Sequence, residues 1–170
     1  MIMVTLQQLK NDNRFYVDDF NLNRIIKAHK YLFYTITTIE IGKILRLKDD
    51  GSEEIVPLSE TLVYKYLIGK ETDYSYKEYC KSHLTPYRSL DYFKNLINVI
   101  KEEGYNIQKG AIFIDQHSII VEGQHRCCIL LKEFGPEYKI PVVRLYIIQK
   151  PNIRFLYKWF KAYAKINFFK

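Results

Sequence analysis

The stretch "IIVEGQHRCCILL", residues 119–131, decides how the chain is read. Three β-branched residues, Ile119, Ile120 and Val121, stop at Glu122 and Gly123. Gln124, His125 and Arg126 come next, and then an apolar run from Cys127 to Leu131. β-Branched runs suit extended backbone, and glycine takes backbone conformations closed to other residues. The pattern predicts a strand handing over to a helix. A carboxylate, an amide, an imidazole and a guanidinium would then gather at the helix start.

Reading outward, "AIFID", a turn at Gln116 and His117, and "SIIV" form an expected hairpin. "RCCILLKEFG" is a one-sided helix stopped by Gly135 and Pro136, and "IPVVRLYII" is a near-continuous apolar run, hence a buried strand. Upstream, Leu90, Phe93, Ile97 and Ile100 recur at helical spacing, with Ser89 as cap and Gly104 as stop. The expected order over 89–148 is helix, strand, strand, helix, strand. Nearer the N-terminus, residues 22–33 carry Leu22, Ile25, Ile26, His29, Leu32 and Phe33 at helical spacing. The Thr- and Ile-rich residues 34–58 read as strand or hairpin, turning at Asp49, Asp50 and Gly51. "SETLVYKYLIG" reads as a short helix capped by Ser59 and ended by Gly69, and the tyrosine-rich residues 70–88 as a short helix and a loop.

The chain has 170 residues, enough for one domain with a real core. With 48% hydrophobic residues it belongs among globular chains. No apolar run reaches the ~18 residues of a membrane-spanning helix. The opening "MIMVTLQQLK" lacks a basic segment followed by an apolar one, so no signal peptide is read and the cytoplasm is expected. Cys80, Cys127 and Cys128 have no metal-ligand spacing and are expected to be reduced, core thiols.

Net charge is +7, and it is unevenly placed. Residues 150–170 hold six basic residues and no acid, which leaves 20 basic against 19 acidic residues elsewhere. The nearly neutral body argues against a broad nucleic-acid surface. On a helical wheel, Arg154, Lys158, Lys161 and Lys165 form one stripe. Phe155, Leu156, Trp159, Phe160, Tyr163 and Ile166 lie opposite. Such a helix either lies on an anionic membrane surface or packs its apolar face on the domain with its lysines solvated.

The chemistry of residues 122–126 follows from their place. A helix N-terminus offers unpaired N–H groups and partial positive charge. Gly123 lets a ligand approach the backbone, Arg126 suits phosphate oxygens, and His125 donates to phosphate or moves a proton. Glu122 would repel a bare phosphate, and fits better as a Mg²⁺ ligand or as a base toward a hydroxyl. The bland alternative is a helix-end salt bridge of Glu122 with Arg126 and a packing role for His125. His117 is expected to be solvated in its turn, and Asp115 serves turn chemistry as readily as function.

The whole of residues 86–148, with its helix, hairpin, "EGQHR" and "IPV" strand, resembles the core of the ParB/sulfiredoxin superfamily. The resemblance implies nucleotide binding at this motif, with Arg88 and Ser89 near the nucleotide. In sulfiredoxins the position of Gln124 is the catalytic cysteine, so that chemistry is not implied here. ParB partition proteins bind CTP and carry a helix-turn-helix domain after this core; only about twenty residues follow it here. The free-serine kinase branch, with Asp-Gly-His-His-Arg, is nearest. This chain departs from it at Glu122 and Gln124, and the second glutamate such kinases use has only Glu71 and Glu78 as candidates. Residues 1–70 match no part of the core pattern and resemble proteins of bacterial surface-polysaccharide clusters.

The expectation is thus an α+β fold with a small mixed sheet. Residues 1–70 form an N-terminal extension packed on the core, 71–149 the core, and 150–170 a basic amphipathic helix. The expected function is binding of a nucleotide (ATP, ADP or CTP with Mg²⁺) or another phosphorylated small molecule. It extends to phosphoryl transfer onto a hydroxyl of an amino acid, sugar or glycan. Arg126, Gly123 and Gln124 would hold phosphate, His125 would assist, and Glu122 would bind Mg²⁺ or act as base. A non-catalytic nucleotide-sensing or partner-binding module is the rival, and a ParB-like nuclease ranks third.

Overall fold

The computed structural model describes residues 6–28, 31–48, 52–83, 89–147 and 153–168. The fold is α+β. Its main sheet has four strands: β1 (Tyr31–Glu40), β4 (Phe113–Asp115), β5 (Ile120–Glu122) and β6 (Lys139–Ile147), in the order β1-β6-β4-β5. β1 and β6 are antiparallel, β6 and β4 parallel, and β4 and β5 an antiparallel hairpin. A second, two-stranded sheet pairs β2 (Leu45–Leu47) with β3 (Ile55–Pro57). No helix among the described residues is long and apolar enough to cross a membrane.

β6 explains its own composition. Ile140 and Val142 face one core, with Ile114, Ile120, Phe93, Ile129 and Leu130. Val143 and Leu145 face the other, with Leu9, Phe15, Leu22 and Ile25. A strand buried on both faces needs apolar residues at successive positions rather than alternate ones. The first core is roofed by α3 (Leu62–Leu67), α4 (Asp73–His83), α5 (Leu90–Glu103) and α6 (Gln124–Phe134). The second is covered by α1 (Leu6–Lys10) and α2 (Asp19–Ala28).

The helical reading of 22–33 runs too far. α2 ends at Ala28 and β1 starts at Tyr31. The ladder from Tyr31↔Ile147 to Glu40↔Lys139 claims Leu32 and Phe33, and long-range pairing of this length overrides local periodicity. The Thr- and Ile-rich segment is likewise not one hairpin: its first strand joins β6, and only β2 and β3 pair with each other. Residues 49–51, the expected turn, lie outside the described residues. Thr61, not Ser59, caps α3 by accepting from the Tyr64 N–H at 3.3 Å. Ser59 belongs to the 3₁₀ turn Leu58–Glu60 just before it. Ser89 caps α5, accepting from Tyr92 N–H at 3.2 Å, and Gly104 ends it in the left-handed region.

The C-terminal helix α7 (Ile153–Phe168) is docked. Phe155, Trp159, Ala162 and Ile166 pack on Leu45, Ile55 and Ile119. The Trp159 indole N–H donates to the His117 carbonyl at 2.9 Å. The His117 ring lies edge-on to Phe155 and Trp159, so it is half-buried rather than solvated. Lys158 donates to the carbonyls of Ser52 and Glu53, and Lys165 pairs with Glu60 at 2.9 Å. Trp159 and these two lysines are therefore turned to the body. The basic stripe is divided: of its four members only Arg154 and Lys161 are exposed.

Candidate functional site

β5 ends at Glu122, and Gly123 makes the turn into α6 with φ +99°. A side chain would be strained in that backbone region. It would also come within 2.9 Å of the Ile112 side chain, so the strand-to-helix corner is packed against its neighbour. No side chain caps α6. The first N–H to close a helical bond is that of Cys127, onto the Gly123 carbonyl at 3.0 Å. The N–H groups of Gln124, His125 and Arg126 belong to the first turn, where an α-helix has no internal acceptors to offer.

The side chains of the motif spread from this corner in three directions. His125 points among aromatic rings, edge-on to Phe93 at 4.9 Å and to Tyr76 at 6.0 Å. Tyr76 in turn stacks on Phe93 and on Tyr66. Burial pushes the Tyr76 phenol far above its ordinary range, so the cage around His125 carries no charge of its own at neutral pH. Arg126 lies across Gly110, where even a β-carbon would displace its guanidinium. Gly123, His125 and Arg126 line one small crevice with Tyr76, Tyr92 and Leu96. It encloses about 10 Å³, room for about one water.

Gln124 faces the other way. Its carbonyl oxygen accepts from Arg46 Nε at 3.0 Å and from the Tyr79 hydroxyl at 3.2 Å. Its amide nitrogen is buried and has no hydrogen-bond partner among the described residues. Sequence reasoning missed both Arg46 and Tyr79. Arg46 alternates with Leu45 and Leu47, but strand alternation does not say which element will lie beside it. A parallel bridge of Leu45 to Ile119 brings β2 next to the motif. Tyr79 had a readable signal: Tyr76, Tyr79 and Cys80 share the inward side of α4 at helical spacing.

Glu122 is 4% exposed, so an exposed helix-end salt bridge does not describe it. Glu78, by contrast, is exposed on α4 and pairs with Lys81 at 2.6 Å, while Glu71 is half-buried just before that helix. Among the described residues no cluster of three His, Cys, Asp or Glu side chains is placed to hold a metal ion. Ser89 is exposed and spends its oxygen on the α5 cap. Arg88 lies outside the described residues. Cys127 and Cys128 are fully buried, and burial drives the Cys127 thiol well up, which leaves it inert as a nucleophile. Asp115 serves its turn, accepting from the His117 and Ile119 N–H groups at 2.8 Å each.

No protein-family model, no curated protein and no solved structure matches the chain.

Proposed function

We propose that this chain binds a phosphate-bearing small molecule, a nucleotide foremost, at the start of α6. The observation that carries the reading is the uncapped helix start beside a buried amide nitrogen that lacks a partner. An unsatisfied buried donor costs about 1–3 kcal/mol, and Gln124 is only 8% exposed. An oxyanion meets the needs of the helix N–H groups, and the Gln124 amide nitrogen offers a further donor on the other side of the same corner. Arg126 adds a guanidinium from the crevice side, and Arg46 brings a second cation to the Gln124 side. The crevice accommodates about one water-sized atom. A nucleotide would therefore lie over its mouth with a phosphate oxygen reaching in. The choice of ATP, ADP or CTP over other phosphates rests on the resemblance to the ParB/sulfiredoxin superfamily.

A second reading, phosphoryl transfer onto a hydroxyl, has one observation in its favour. Glu122 is a buried carboxylate at the same corner as the enclosed His125 imidazole. Glu122 would be the single carboxylate ligand for Mg²⁺, with phosphate and water oxygens completing the shell. Against this reading, Glu78 is turned to solvent and paired with Lys81, so it is no partner for Glu122. With Glu78 so placed, Glu71 is the one candidate glutamate left to the kinase; we rank the non-catalytic binding module ahead of the kinase and the nuclease last.

The test is a thermal-shift series with ATP, ADP, CTP and inorganic phosphate, each with and without Mg²⁺. A ligand at 100 times its Kd stabilises the native state by about 2.7 kcal/mol. Arg126→Ala is expected to weaken binding by ~1.5–3 kcal/mol, the range for a hydrogen bond to a charged group. Gly110→Ala is the sharper variant. It changes no motif residue but occupies the space of the Arg126 guanidinium and so displaces it, so binding should fall while melting changes little. No shift with any phosphate, or unchanged affinity in both variants, would remove the proposal. Release of ADP from ATP with serine or a sugar as acceptor separates the kinase from the binding module.

A further inference from the structure

α7 has two apolar faces, and only one is used. At about 100° per residue, the docked Phe155, Trp159, Ala162 and Ile166 fall within roughly 60° of one another. Ile153, Leu156, Tyr157, Phe160 and Tyr163 span a separate arc of about 120° on the solvent side. Ile153 at 86%, Tyr157 at 70% and Phe160 at 63% stand well out in solvent, while Leu156 and Tyr163, nearer the docked face, are about 40% exposed. Asn167 falls in the same arc and turns its amide back onto the Tyr163 carbonyl at 2.8 Å. Arg154 and Lys161, both exposed, follow along one edge of the strip. The apolar face read from sequence merged residues of both arcs.

We propose that this outward strip seats the protein on an anionic phospholipid surface, with α7 lying in the plane of the interface. Charge complementarity selects the occupant. Residues 150–170 carry no acid, and the solvated cations beside the strip are Arg154 and Lys161. A second copy of the chain would set the same two cations against each other, which opposes self-association through this face. A bilayer with acidic headgroups attracts them instead, and its boundary layer suits tyrosine and phenylalanine rings. The 16 residues of α7 give a strip on the order of 24 Å long. That length is too short and too polar on its docked edges to span a bilayer, but it suits a helix resting in the headgroup layer. Because Trp159 is already packed on His117 and donates to its carbonyl, the seating requires no undocking of the helix.

The test uses the full chain and two vesicle types, phosphatidylcholine alone and phosphatidylcholine mixed with phosphatidylglycerol. Co-sedimentation is expected with the mixed vesicles only, and it should decline as salt is raised. Arg154→Glu with Lys161→Glu should lower it on the order of tenfold or more. Tyr157→Glu with Phe160→Glu should abolish it. Both pairs lie in solvent, so melting temperatures should stay near the parent's, which keeps loss of binding distinct from loss of fold. Trp159 emission should not move on binding. No pelleting of the parent, or pelleting that survives both double variants, overturns the proposal. So does a concentration-dependent dimer dissolved by Phe160→Glu, which would identify a second copy as the occupant. An acidic peptide that binds the strip while anionic vesicles do not would overturn it equally.

Discussion

The start of α6 and the outer side of α7 break the usual partition of a globular protein in opposite directions. At α6, Glu122, Gln124 and His125 are buried. On α7, Ile153, Tyr157 and Phe160 are left in solvent. Isolated apolar side chains on a surface need no account, whereas buried polar groups and contiguous exposed apolar strips do. Each departure costs stability that the rest of the fold must supply. The two differ in how that cost is relieved. The polar groups at α6 are partly satisfied from within, by Arg46 and Tyr79 on Gln124 and by rings around His125. Of the strip on α7 only Tyr163 has such cover among the described contacts, its ring stacked on the docked Trp159, while Ile153, Tyr157 and Phe160 have none.

The comparison is most easily broken with one residue type placed in both regions. Phe93 is buried, stacked on Tyr76 and edge-on to His125. Phe93→Ala should cost about 3–5 kcal/mol in urea unfolding, for lost burial and the cavity left behind. A cost under about 1 kcal/mol would mean that the ring cage around His125 does not exist in solution.

The turn between β4 and β5 joins the two regions, since Asp115 holds the His117 N–H and the His117 carbonyl holds Trp159. Asp115→Ala removes two backbone partners and should cost about 1–3 kcal/mol. Asp115→Asn keeps the acceptor oxygen. Burial raises the Asp115 carboxyl above 3.8, against the two hydrogen bonds that lower it. A folded value above the unfolded one means that the folded state holds the proton more tightly. This group's contribution to stability is therefore greatest below pH 3.8 and declines as pH rises through the raised value. The Asn variant should lack that decline, so its stability relative to the parent should improve as pH climbs through the acidic range. Denaturation of both at a series of pH values checks the sign.

Gly123→Ala comes next. Left-handed backbone costs a non-glycine residue about 1–2 kcal/mol, and the added methyl also meets Ile112. Stability should fall by at least that much, and phosphate binding with it. The smallest effect is expected at Phe160→Ala, within about 0.5 kcal/mol of the parent, as for other solvent-facing positions. A loss of several kcal/mol there would show the strip to be covered, and the contrast between the two helices would collapse.

Much of this molecule was written locally. The handover at Gly123, the caps and stops of α5, the β4–β5 hairpin and the doubly buried β6 each follow from residues within a few positions of one another. Periodicity, capping and backbone freedom are short-range properties, so the sequence alone determined them. It also placed the polar run 122–126 at the start of α6, but not the directions in which those side chains point. What it could not determine were the partners brought from a distance. Nothing near Arg46 or Tyr79 says that both will reach Gln124, because that depends on β2 settling beside β5 and on α4 roofing the same corner. Nor does helical spacing say which of two apolar arcs on α7 will be spent on the body. Both arcs are apolar enough to pack. The choice fell to the shape of the surface formed by Leu45, Ile55 and Ile119, three residues separated in the chain and joined only by the fold.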